Sequence, residues 1–360
     1  MKILISGAAG FIGSHAAAKF LRDGATVIAF DNLSRPGSVE NLAWVKSNAQ
    51  RLHFHHIDVR NTEDVMGMFA EHEDADAVLH LAAQVAVTTS VAHPRHDFGV
   101  NALGTFNVLE ATRQFCPGAA FLYSSTNKVY GTLDEAEVVE RNGRYAYASR
   151  PEGIEENCHL DLHSPYGCSK GAADQYVHDY YRIYGLKSVV FRQSCIYGTR
   201  QFGVEDQGWI AWFTIATLTG QPITIYGDGK QVRDVLWVDD LVALYGRALE
   251  RIDVAAGQIY NVGGGPENTL SLLELVALIQ SETGRVITPA RADWRPGDQR
   301  IFVAAISKAQ RDLGWVPRVS PGEGVRRLIE WVQKEKALVN DIVGSLKHTP
   351  VALAVNNGAK

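Results

Sequence analysis

The chain opens with Lys2-Ile3-Leu4-Ile5-Ser6-Gly7-Ala8-Ala9-Gly10-Phe11-Ile12-Gly13, a short apolar run followed by a turn rich in glycine. The first part predicts a buried strand, and the amphipathic run from Ser14 to Arg22 predicts a helix behind the glycines. Glycines at such a turn let the backbone approach a pyrophosphate, while the helix directs unpaired N–H groups and its positive dipole end at the phosphates. The spacing is Gly-x-x-Gly-x-x-Gly instead of Gly-x-Gly-x-x-Gly, so it is a variant of the dinucleotide-binding fingerprint.

An acidic residue follows the glycines at the distance typical of dinucleotide-binding proteins. A second predicted strand, Thr26 to Phe30, ends in Asp31. A carboxylate about 20 residues past the glycines accepts hydrogen bonds from the adenosine ribose hydroxyls. Asp31 also repels a 2′-phosphate, so we expect NAD as the cofactor instead of NADP, although nearby Arg35 argues in the other direction.

Strand-like and helical patterns alternate through the first half of the chain. The apolar runs are Ile3–Ser6, Thr26–Phe30, Leu52–Ile57, Ala77–Leu81, Ala119–Tyr123 and Ser188–Phe191. This alternation predicts an α/β fold with a Rossmann-type doubly wound parallel sheet and helices on both faces. Past about Gln193 the pattern becomes irregular, and we expect a smaller mixed α/β substrate domain in this C-terminal part.

Hydroxyl groups and a Tyr/Lys pair are the candidate reactive groups. Tyr123-Ser124-Ser125-Thr126 ends a predicted strand, and ligands of open parallel sheets bind beyond the carboxyl ends of the strands. In Ser164-Pro165-Tyr166-Gly167-Cys168-Ser169-Lys170, the Tyr and the Lys share one face of a helix. An ammonium near a phenol lowers the pKa of that phenol from about 10 towards neutrality, which makes it a proton acceptor for an alcohol. Each signal alone could reflect ordinary structural residues, but together with the glycine turn they favour an enzyme.

Composition excludes several other classes of protein. The 360 residues carry a formal net charge of -5, which gives no general attraction to nucleic acid or to an anionic lipid surface. The four cysteines form no Cys-x-x-Cys, so we expect neither a zinc site nor a disulfide framework, and a reducing cytoplasm fits. No apolar run approaches the roughly 20 residues that span a bilayer, and we expect no signal peptide.

Histidines crowd one predicted strand, at His53, His55 and His56. His53 and His55 would project to the same face of that strand. A metal site would need a third ligand nearby, so we interpret these residues as satisfied or exposed imidazoles and expect no metal.

Taken together, the motifs resemble those of the extended short-chain dehydrogenase/reductases, specifically the sugar-nucleotide epimerases and dehydratases, over nearly the whole chain. The matching stretches are Gly7-x-x-Gly10-x-x-Gly13, Asp58-Val59, His80-Leu81-Ala82-Ala83, Asn101 inside a helix, Ser124-Ser125-Thr126 with Val129-Tyr130-Gly131, Tyr166-x-x-x-Lys170, Ile196-Tyr197-Gly198, Arg233-Asp234 before Val238-Asp239-Asp240, and Arg295-Pro296-Gly297-Asp298. Within this family, the stretches Thr126 to Gly131 and Arg200 to Trp209 are similar to the CDP-tyvelose (CDP-paratose) 2-epimerases.

The resemblance implies roles for individual residues. Its catalytic residues would be Thr126, Tyr166 and Lys170. Contacts to NAD would come from Gly7, Gly10, Phe11, Ile12, Gly13, Asp31, Asn32, Asp58, Val59, Leu81, Ala82, Ala83, Asn101, Ser124, Tyr166 and Lys170. Contacts to a nucleotide-diphosphate sugar would come from Ser125, Thr126, Asn127, Arg200, Trp209, Tyr226, Arg233 and Arg295, with Arg233 and Arg295 on the diphosphate.

The implied reaction is epimerisation through a transient keto-sugar. NAD removes a hydride from the sugar, Tyr166 takes the hydroxyl proton, and the hydride returns to the other face of the same carbon. We expect inversion at C2 of a CDP- or GDP-hexose such as CDP-paratose. A 4-epimerase of the UDP-glucose type would use the same three catalytic residues and stays an alternative. A silent NAD-binding scaffold is disfavoured, since it would have no need of a proton-transfer set.

Dehydration is not expected, because dehydratases of this family carry Asp-Glu directly after the Thr. This chain has Asn127 and Lys128 there, and neither is a carboxylic acid. Whether Lys128 contacts the substrate stays open at this point.

The expected organisation has two interleaved domains. Residues 1–192, with 237–262 re-entering, would form the NAD-binding Rossmann domain, and 193–236 with 263–345 would form the substrate-binding domain. Residues 141–163 form an insertion that we expect to shape the sugar site, and 346–360 would be a mobile tail. The family also implies a homo-oligomer, either a dimer or a tetramer.

Overall fold

A computed structural model describes residues 1–47, 50–295 and 298–346 of the chain. Pro296 and Gly297 of the motif that runs from Arg295 to Asp298 lie outside the described residues. Residues 347–360 of the expected tail also lie outside them.

Strands and helices alternate along the first half of the chain. Their bounds are β1 Lys2–Ser6, α1 Phe11–Arg22, β2 Thr26–Asp31, α2 Ser38–Lys46, β3 Leu52–His56, α3 Thr62–Ala70, β4 Ala77–His80, α4 Val87–Ala92, α5 Pro94–Phe98, α6 Gly104–Phe115, β5 Ala120–Thr126, β6 Val138–Arg141, β7 Arg144–Tyr147, α7 Ser164–Tyr184, β8 Lys187–Gln193 and β9 Cys195–Tyr197. A π-helical turn, Gly99–Leu103, joins α5 to α6, and a 3-10 turn, Asn127–Tyr130, follows β5.

The second half has shorter strands and several further helices. Their bounds are α8 Trp209–Thr219, β10 Thr224–Tyr226, β11 Val232–Trp237, α9 Val238–Glu250, α10 Ile252–Ala255, β12 Ile259–Val262, β13 Thr269–Ser271, α11 Leu272–Thr283, β14 Ala290–Ala292, β15 Ile301–Phe302, α12 Ser307–Leu313, α13 Pro321–Lys334 and α14 Lys336–Leu346.

Seven parallel strands form the central sheet, in the order β12-β8-β5-β4-β1-β2-β3. This confirms the predicted α/β, doubly wound fold. The chain runs outward from β1 to β3, crosses back, and then runs outward in the other direction from β4 to β12, so the strand order reverses between β1 and β4. Ligands of such sheets bind beyond the carboxyl ends of the strands at that reversal.

Both faces of the central sheet are buried, which is why its strands read as continuous apolar runs. Ile3 and Ile5 of β1 pack into a core on one face together with α1 and α9, whereas Leu4 packs into a core on the other face with α3, α6 and α7. These fully buried layers hold the carboxyl ends of the strands in a fixed relation to one another.

A smaller set of strands lies beyond β8. β11 pairs antiparallel with β13 and parallel with β15 and β9, and β10 pairs parallel with β14. From within this half, β12 adds to the edge of the central sheet and α9 packs on α1. α12 packs on β12 as well, and its Lys308 donates a 2.8 Å hydrogen bond to the Ile259 carbonyl oxygen.

The insertion between β5 and α7 begins with a β-hairpin. β6 and β7 pair antiparallel across the turn at Asn142 and Gly143, where both residues have positive φ. Past the hairpin, Ile154 bridges to Ala304 next to β15. The insertion therefore packs on the smaller set of strands. No helix in the described part of the chain is long and apolar enough to cross a membrane.

Candidate active site

The glycine turn is shaped by close backbone contacts. Gly7 has a φ of +65°, and a Cβ built on it would lie 2.7 Å from the backbone nitrogen of Ala82. A Cβ on Gly13 would overlap the carbonyl oxygen of Gly7. Gly10 differs, since its Cβ would meet that same oxygen at 3.1 Å and nothing else within 4 Å. Gly7 and Gly13 thus allow the turn to form, and Gly10 leaves free space beside it.

The N-terminus of α1 directs its N–H groups at that free space. No side chain caps the helix at Gly10, and its first turn, which begins with Phe11 and Ile12, holds no acidic residue. Unsatisfied N–H groups and the positive end of a helix dipole bind anions. The turn and the helix therefore fit the pyrophosphate of a dinucleotide.

Asp31 lies beside this turn, at the end of β2. Its carboxylate accepts hydrogen bonds from the backbone nitrogens of Ala9, at 3.0 Å, and Leu33, at 2.8 Å. Burial raises the pKa of Asp31, and these two hydrogen bonds together with nearby His56 and Arg35 oppose the rise. Lone pairs that the backbone leaves free are the acceptors that ribose hydroxyls require.

Asn32 and Asp58 meet beyond the carboxyl ends of β2 and β3. Asn32 Nδ2 donates to Asp58 at 2.9 Å, and Arg60 donates to the same carboxylate through Nε at 2.9 Å and Nη2 at 2.7 Å. These bonds, from Arg60 above all, hold the pKa of Asp58 well below its usual range. Val59 is buried, and its carbonyl oxygen accepts a 2.9 Å hydrogen bond from Asn107. The sequence-predicted adenosine side of the site is thus brought together.

A buried polar contact fixes the stretch Leu81 to Ala83 after β4. The backbone nitrogens of Leu81 and Ala82 donate to Ser6 Oγ at 2.9 and 3.0 Å, and this hydroxyl lies 2.7 Å from His80 Nδ1. Burial lowers the pKa of His80 to about 3, so its imidazole is neutral. The stretch is held against β1, next to the glycine turn.

Asn101 makes several buried hydrogen bonds within the protein, and its expected contact to the cofactor stays a prediction. The residue is fully buried in the π-helical turn, where its side chain accepts from the Gln84 nitrogen at 2.9 Å and donates to the Gln84 oxygen at 3.0 Å. It also donates to Asp97 at 3.0 Å, and Asp97 accepts a 2.5 Å bond from Ser169 of α7. Asn101 therefore fastens the loop after β4 to α7.

Tyr166 and Thr126 lie together at the carboxyl end of β5. Tyr166 is 8% exposed and Thr126 is 6% exposed. Burial raises the pKa of Tyr166 to about 12, while hydrogen bonding with Thr126 acts to lower it and Asp97 adds to the rise. The lowered phenol pKa that we expected from the Tyr/Lys spacing is therefore wrong for the protein alone, because burial outweighs the favourable contacts.

Lys170 is directed at the backbone of β5. Its ammonium donates a 2.6 Å hydrogen bond to the Ser124 carbonyl oxygen and lies 4.3 Å from the centroid of the Tyr123 ring. Burial lowers the pKa of Lys170 to about 7, and the carboxylates of Asp174 and Asp97 oppose that shift. The three sequence-predicted catalytic side chains are thus gathered at one strand end.

The Ser125 hydroxyl is engaged with a different partner, and its expected role in substrate binding stays a prediction. Its hydroxyl donates a 2.7 Å hydrogen bond to Asp174, a fully buried residue. Asp174 also binds Arg192 through bonds of 2.9 and 3.0 Å. Side chains alternate along a strand, so Ser125 and Thr126 necessarily face opposite sides of the sheet.

A pair of cations and one carboxylate lie near the residues that follow Thr126. Arg233 donates to Asp298 at 2.7 Å and to the Gln299 carbonyl oxygen at 2.7 Å. Lys128 is close to Arg233, Asp298 and Cys195, and burial followed by Arg233 lowers the pKa of Lys128 to about 8. Asn127 is buried beside Thr126, whose hydroxyl lies 3.5 Å from the Asn127 amide oxygen.

Arg295 and Tyr226 form a second group. The Arg295 guanidinium lies 4.0 Å from the centroid of the Tyr226 ring and 3.0 Å from the carboxylate of Asp206. The Tyr226 hydroxyl donates to Glu205 at 3.1 Å. Two of the sequence-predicted substrate residues thus meet, against the loop that precedes α8.

Arg200 and Trp209 have different surroundings. The Arg200 guanidinium lies 4.3 Å from the centroid of the Trp44 ring, so its described contact is with α2. It does not belong to the charged group around Lys128. Trp209 begins α8, and its buried Nε1 has no partner in hydrogen-bond geometry among the described residues. It lies near Cys195, where it partly opposes the rise that burial causes in the pKa of the thiol.

Two buried carboxylates, Asp97 and Asp174, support the site and were not found from the sequence. Both influence the pKa of Lys170, and Asp97 also influences that of Tyr166. A signal for Asp174 was present, because it follows Lys170 by four residues and so shares the helix face of Tyr166 and Lys170. Asp97 gave no comparable signal, since its partners come from three separate segments.

Three possible metal ligands meet at the outer edge of the central sheet, where the sequence led us to expect no metal. His55 Nε2 lies 3.3 Å from His72 Nε2, and the ligand atoms of His55, Glu71 and His72 lie within 4.8 Å of one another. The second imidazole, His72, follows α3, so spacing along the strand did not reveal it. His55 lies on β3, which is well separated in strand order from β5 and the catalytic candidates.

Comparisons with known proteins agree with this geometry. A family model described as GDP-mannose 4,6 dehydratase matches residues 4–328. The chain is 46% identical over 336 residues to the CDP-paratose 2-epimerase of Salmonella typhi. This alignment covers 92% of this chain and 99% of that protein.

Two solved structures have the same fold. The UDP-glucose 4-epimerase of Thermotoga maritima with UDP-glucose has a TM-score of 0.81 and 33% identity, covering 93% of this chain and 100% of that chain. The UDP-glucuronic acid 4-epimerase of Bacillus cereus, in complex with UDP-glucuronic acid and NAD, has a TM-score of 0.79 and 29% identity, covering 93% and 99%. Since the family model and the sequence identity both extend over most of the chain, the protein belongs to the sugar-nucleotide epimerases and dehydratases of the extended short-chain dehydrogenase/reductase family.

Proposed function

We propose that the protein is an NAD-dependent nucleotide-sugar epimerase, an isomerase that inverts C2 of a CDP- or GDP-hexose such as CDP-paratose. The observation that carries the proposal is the buried pair of Tyr166 and Thr126, with Lys170 beside them, at the carboxyl end of β5. The similarity to the CDP-paratose 2-epimerase of Salmonella typhi supports the choice of C2.

Tyr166 accepts the proton of the sugar hydroxyl, and Thr126 hydrogen-bonds the same oxygen. Burial keeps the phenol protonated in the protein alone, with a pKa of about 12. The positive charges of Lys170 and of an oxidised nicotinamide favour the phenolate, because an opposite charge nearby lowers the pKa of an acid. Deprotonation of Tyr166 is therefore tied to the presence of the cofactor.

The glycine turn, the first turn of α1 and Asp31 hold NAD. When bound there, NAD supplies hydride acceptance and return at the sugar carbon. Gly10 leaves space for a pyrophosphate, Asp31 would accept from the adenosine ribose, and Asp58 with Val59 would hold the adenine. Because no net oxidation occurs in an epimerisation, turnover would not require the dinucleotide to be exchanged.

Inversion requires the hexose to present either face while the nucleotide is held in place. Arg233 and Arg295 hold the diphosphate. Both guanidinium groups are positioned in advance, Arg233 by Asp298 at 2.7 Å and Arg295 by the Tyr226 ring at 4.0 Å and Asp206 at 3.0 Å. Positioned arginines form hydrogen bonds at a smaller entropic cost than free ones.

Inversion at C4 is the second candidate, favoured by the similarity to the UDP-glucose 4-epimerase of Thermotoga maritima. It would use Thr126, Tyr166 and Lys170 in the same roles. Dehydration is disfavoured because Asn127 and Lys128 supply no carboxylic acid after Thr126.

The test is an isotope experiment on the NAD-loaded enzyme. CDP-, GDP- and UDP-hexoses labelled with deuterium at C2 or at C4 are turned over and followed by NMR. We expect deuterium at C2 to slow turnover and to remain at C2 of the product. A slowing from C4 alone would assign the enzyme to C4, and solvent hydrogen at the inverted carbon would exclude hydride transfer.

The same proposal includes the organisation of the chain. Residues 1–192 and 237–262 bind NAD, and 193–236 with 263–345 bind the sugar nucleotide. A homo-oligomer is part of it too, supported by exposed aromatic side chains on α6 and α7, where Phe106 and Tyr176 pack with ring centroids 5.7 Å apart. The four free cysteines fit a reducing cytoplasm.

A further inference from the structure

Lys128 is placed beside the reacting groups by the register of the central sheet. Thr126 at the end of β5 pairs with Gln193 at the end of β8, so Lys128 and Cys195 each follow these paired residues by two positions. Lys128 and Cys195 lie next to each other beyond the carboxyl ends of these two strands, where Thr126 and Tyr166 meet. The Lys128 backbone nitrogen donates a 3.2 Å hydrogen bond to the Thr126 hydroxyl, so the ammonium lies within the length of one lysine side chain of the groups that act on the sugar.

The Lys128 ammonium has no hydrogen-bond or ion-pair partner among the residues that the structure describes. Arg233 uses the nearby Asp298 carboxylate, which it contacts at 2.7 Å. The Cys195 thiol supplies no negative charge, because burial raises its pKa. Two cations thus lie near one carboxylate that Arg233 already uses, and a half-buried ammonium that lacks a partner favours binding of an anion.

Sugar chemistry decides which anion is near. In a nucleotide-diphosphate hexose the β-phosphate is joined through oxygen to C1. C2 is bonded directly to C1, whereas C4 lies across the ring. A site that reacts at C2 must therefore accept the β-phosphate close to Thr126 and Tyr166, and a site that reacts at C4 keeps the phosphate on the far side of the sugar.

We propose that the Lys128 ammonium binds the β-phosphate of the sugar nucleotide beside the reacting carbon, and that Lys128 is thereby a specificity residue that favours C2 over C4. The inference rests on the proposed inversion at C2 and names a residue that makes it possible. Arg233 contacts the diphosphate from the side of β11, and Lys128 contacts it from the side of β5.

The test compares nucleotides with and without the β-phosphate. Affinities of CMP, CDP and a CDP-hexose are measured by calorimetry on the NAD-loaded wild type and on Lys128→Met, with GMP and GDP in parallel. We expect Lys128→Met to weaken CDP and the CDP-hexose by about ten- to hundredfold, the range for a hydrogen bond to a charged group, and to change CMP by less than about twofold. Lys187→Met, an exposed lysine at the opposite end of β8, is the matched control and should bind all three like the wild type.

Two further variants guard against an effect on folding. Lys128→Gln removes the charge in a polar side chain, and Lys128→Arg keeps it; the first should match Lys128→Met and the second should retain most of the CDP affinity. NAD content and thermal unfolding are recorded for each. Equal weakening of CMP and CDP, no change in either, or weakening of the CDP-hexose alone would overturn the inference, since none of these outcomes places Lys128 on the β-phosphate.

The pH dependence gives an independent readout. The groups that face Lys128 are Arg233 from β11, Asp298 and the Cys195 thiol from β9. With a pKa of about 8 in the free protein, Lys128 is charged below that pH, so the ratio of CDP to CMP affinity should fall as the pH rises above about 8. Lys128→Arg should remove this fall, and a wild-type ratio that is constant up to pH 9.5 would count against the inference.

These measurements separate failure of the inference from failure of the proposed function. Deuterium at C4 that alone slows the wild type would defeat inversion at C2, and with it the specificity role. Inversion at C2 together with an unchanged CDP affinity in Lys128→Met would leave the function in place and remove the role of Lys128.

Discussion

The Lys170 ammonium donates a 2.6 Å hydrogen bond to the carbonyl oxygen of Ser124 and thereby joins α7 to the last residues of β5. Lys170 is only 4% exposed, and burial lowers its pKa to about 7 even though Asp174 and Asp97 oppose that shift. The charged form of this lysine therefore destabilises the folded protein, at a position that serves the proposed chemistry.

Lys170→Met should stabilise the cofactor-free protein near neutral pH. Below about pH 7 the lysine is charged in both the folded and the unfolded state, so the cost of burying the charge is fully present. Between about pH 7 and its unfolded pKa near 10.5, the unfolded chain binds the proton and the folded protein does not, so wild-type stability rises with pH. The advantage of the variant, on the order of a few kcal/mol, should then disappear by about pH 10.

Urea unfolding at pH 6 to 10 measures this difference, with the exposed Lys187→Met as a control that should show none. A difference between Lys170→Met and the wild type that stays constant with pH would mean that the buried lysine does not titrate in this window.

Tyr166→Phe should abolish turnover while NAD stays bound. Loss of the phenol removes the proton acceptor, and we expect kcat to fall by about a thousandfold or more, near the upper end of the range for general acid–base catalysis. Tyr184→Phe is the control at the other end of the same helix, since Tyr184 is exposed, and it should keep full activity. NAD content is read from absorbance after denaturation. A Tyr166→Phe enzyme with substantial turnover would require another proton acceptor.

The order of the elements in the central sheet could be predicted because its information is local. Apolar runs, glycines and Asp31 appear in the sequence in the order in which a βαβ unit uses them, and the structure places them accordingly. The insertion and the smaller strands were less predictable, since pairings such as Arg233 with Leu270 join residues far apart in a segment without periodicity.

Within the site, contacts between helix neighbours could be predicted and those across segments could not. The spacing of Tyr166 and Lys170 placed both on one face of α7, but it did not show that the ammonium would turn to Ser124. Likewise, Ser125 looked equivalent to Thr126 in the sequence. The sheet separates them, because their side chains leave opposite faces and Ser125 meets Asp174.

Substitutions at three glycines should separate folding from cofactor binding. Gly13→Ala introduces a Cβ that overlaps the Gly7 carbonyl oxygen, so we expect a loss of about 2–4 kcal/mol of stability or an insoluble protein. Gly10→Ala meets that oxygen at 3.1 Å and otherwise fills the space beside α1, so the protein should fold but lose at least about tenfold in NAD affinity.

Gly67→Ala is the matched control in this series. Its Cβ would find no atom within 4 Å, and alanine in a helix should add about 0.5–1 kcal/mol of stability. Thermal unfolding and titration with NADH measure the two effects. A Gly10→Ala protein that binds NADH as tightly as the wild type would exclude the pyrophosphate from this turn.

Asp31→Asn should reduce the preference for NAD over NADP. The carboxylate accepts from Ala9 and Leu33 and repels a 2′-phosphate, whereas the amide carries no charge and leaves nearby Arg35 to attract one. We expect NADH affinity to fall by about tenfold, with NADPH affinity unchanged or higher. Fluorescence titration with both dinucleotides measures the ratio, and an unchanged ratio would mean that Asp31 does not face the ribose.

Ser125→Ala and Thr126→Val should affect different properties of the enzyme, although the residues are neighbours. The Ser125 hydroxyl donates to buried Asp174 at 2.7 Å, so its removal should cost about 1–3 kcal/mol of stability and leave kcat and KM within about threefold. Thr126 hydrogen-bonds Tyr166 and also accepts from the Lys128 backbone nitrogen at 3.2 Å, so its replacement should lower kcat by about a hundredfold and cost about 1 kcal/mol of stability. Urea unfolding and steady-state kinetics on both variants test the pair. A raised KM in Ser125→Ala at unchanged stability would place Ser125 in the substrate site. It would contradict the prediction, because a hydroxyl held by Asp174 on the opposite face of the sheet cannot contact the sugar.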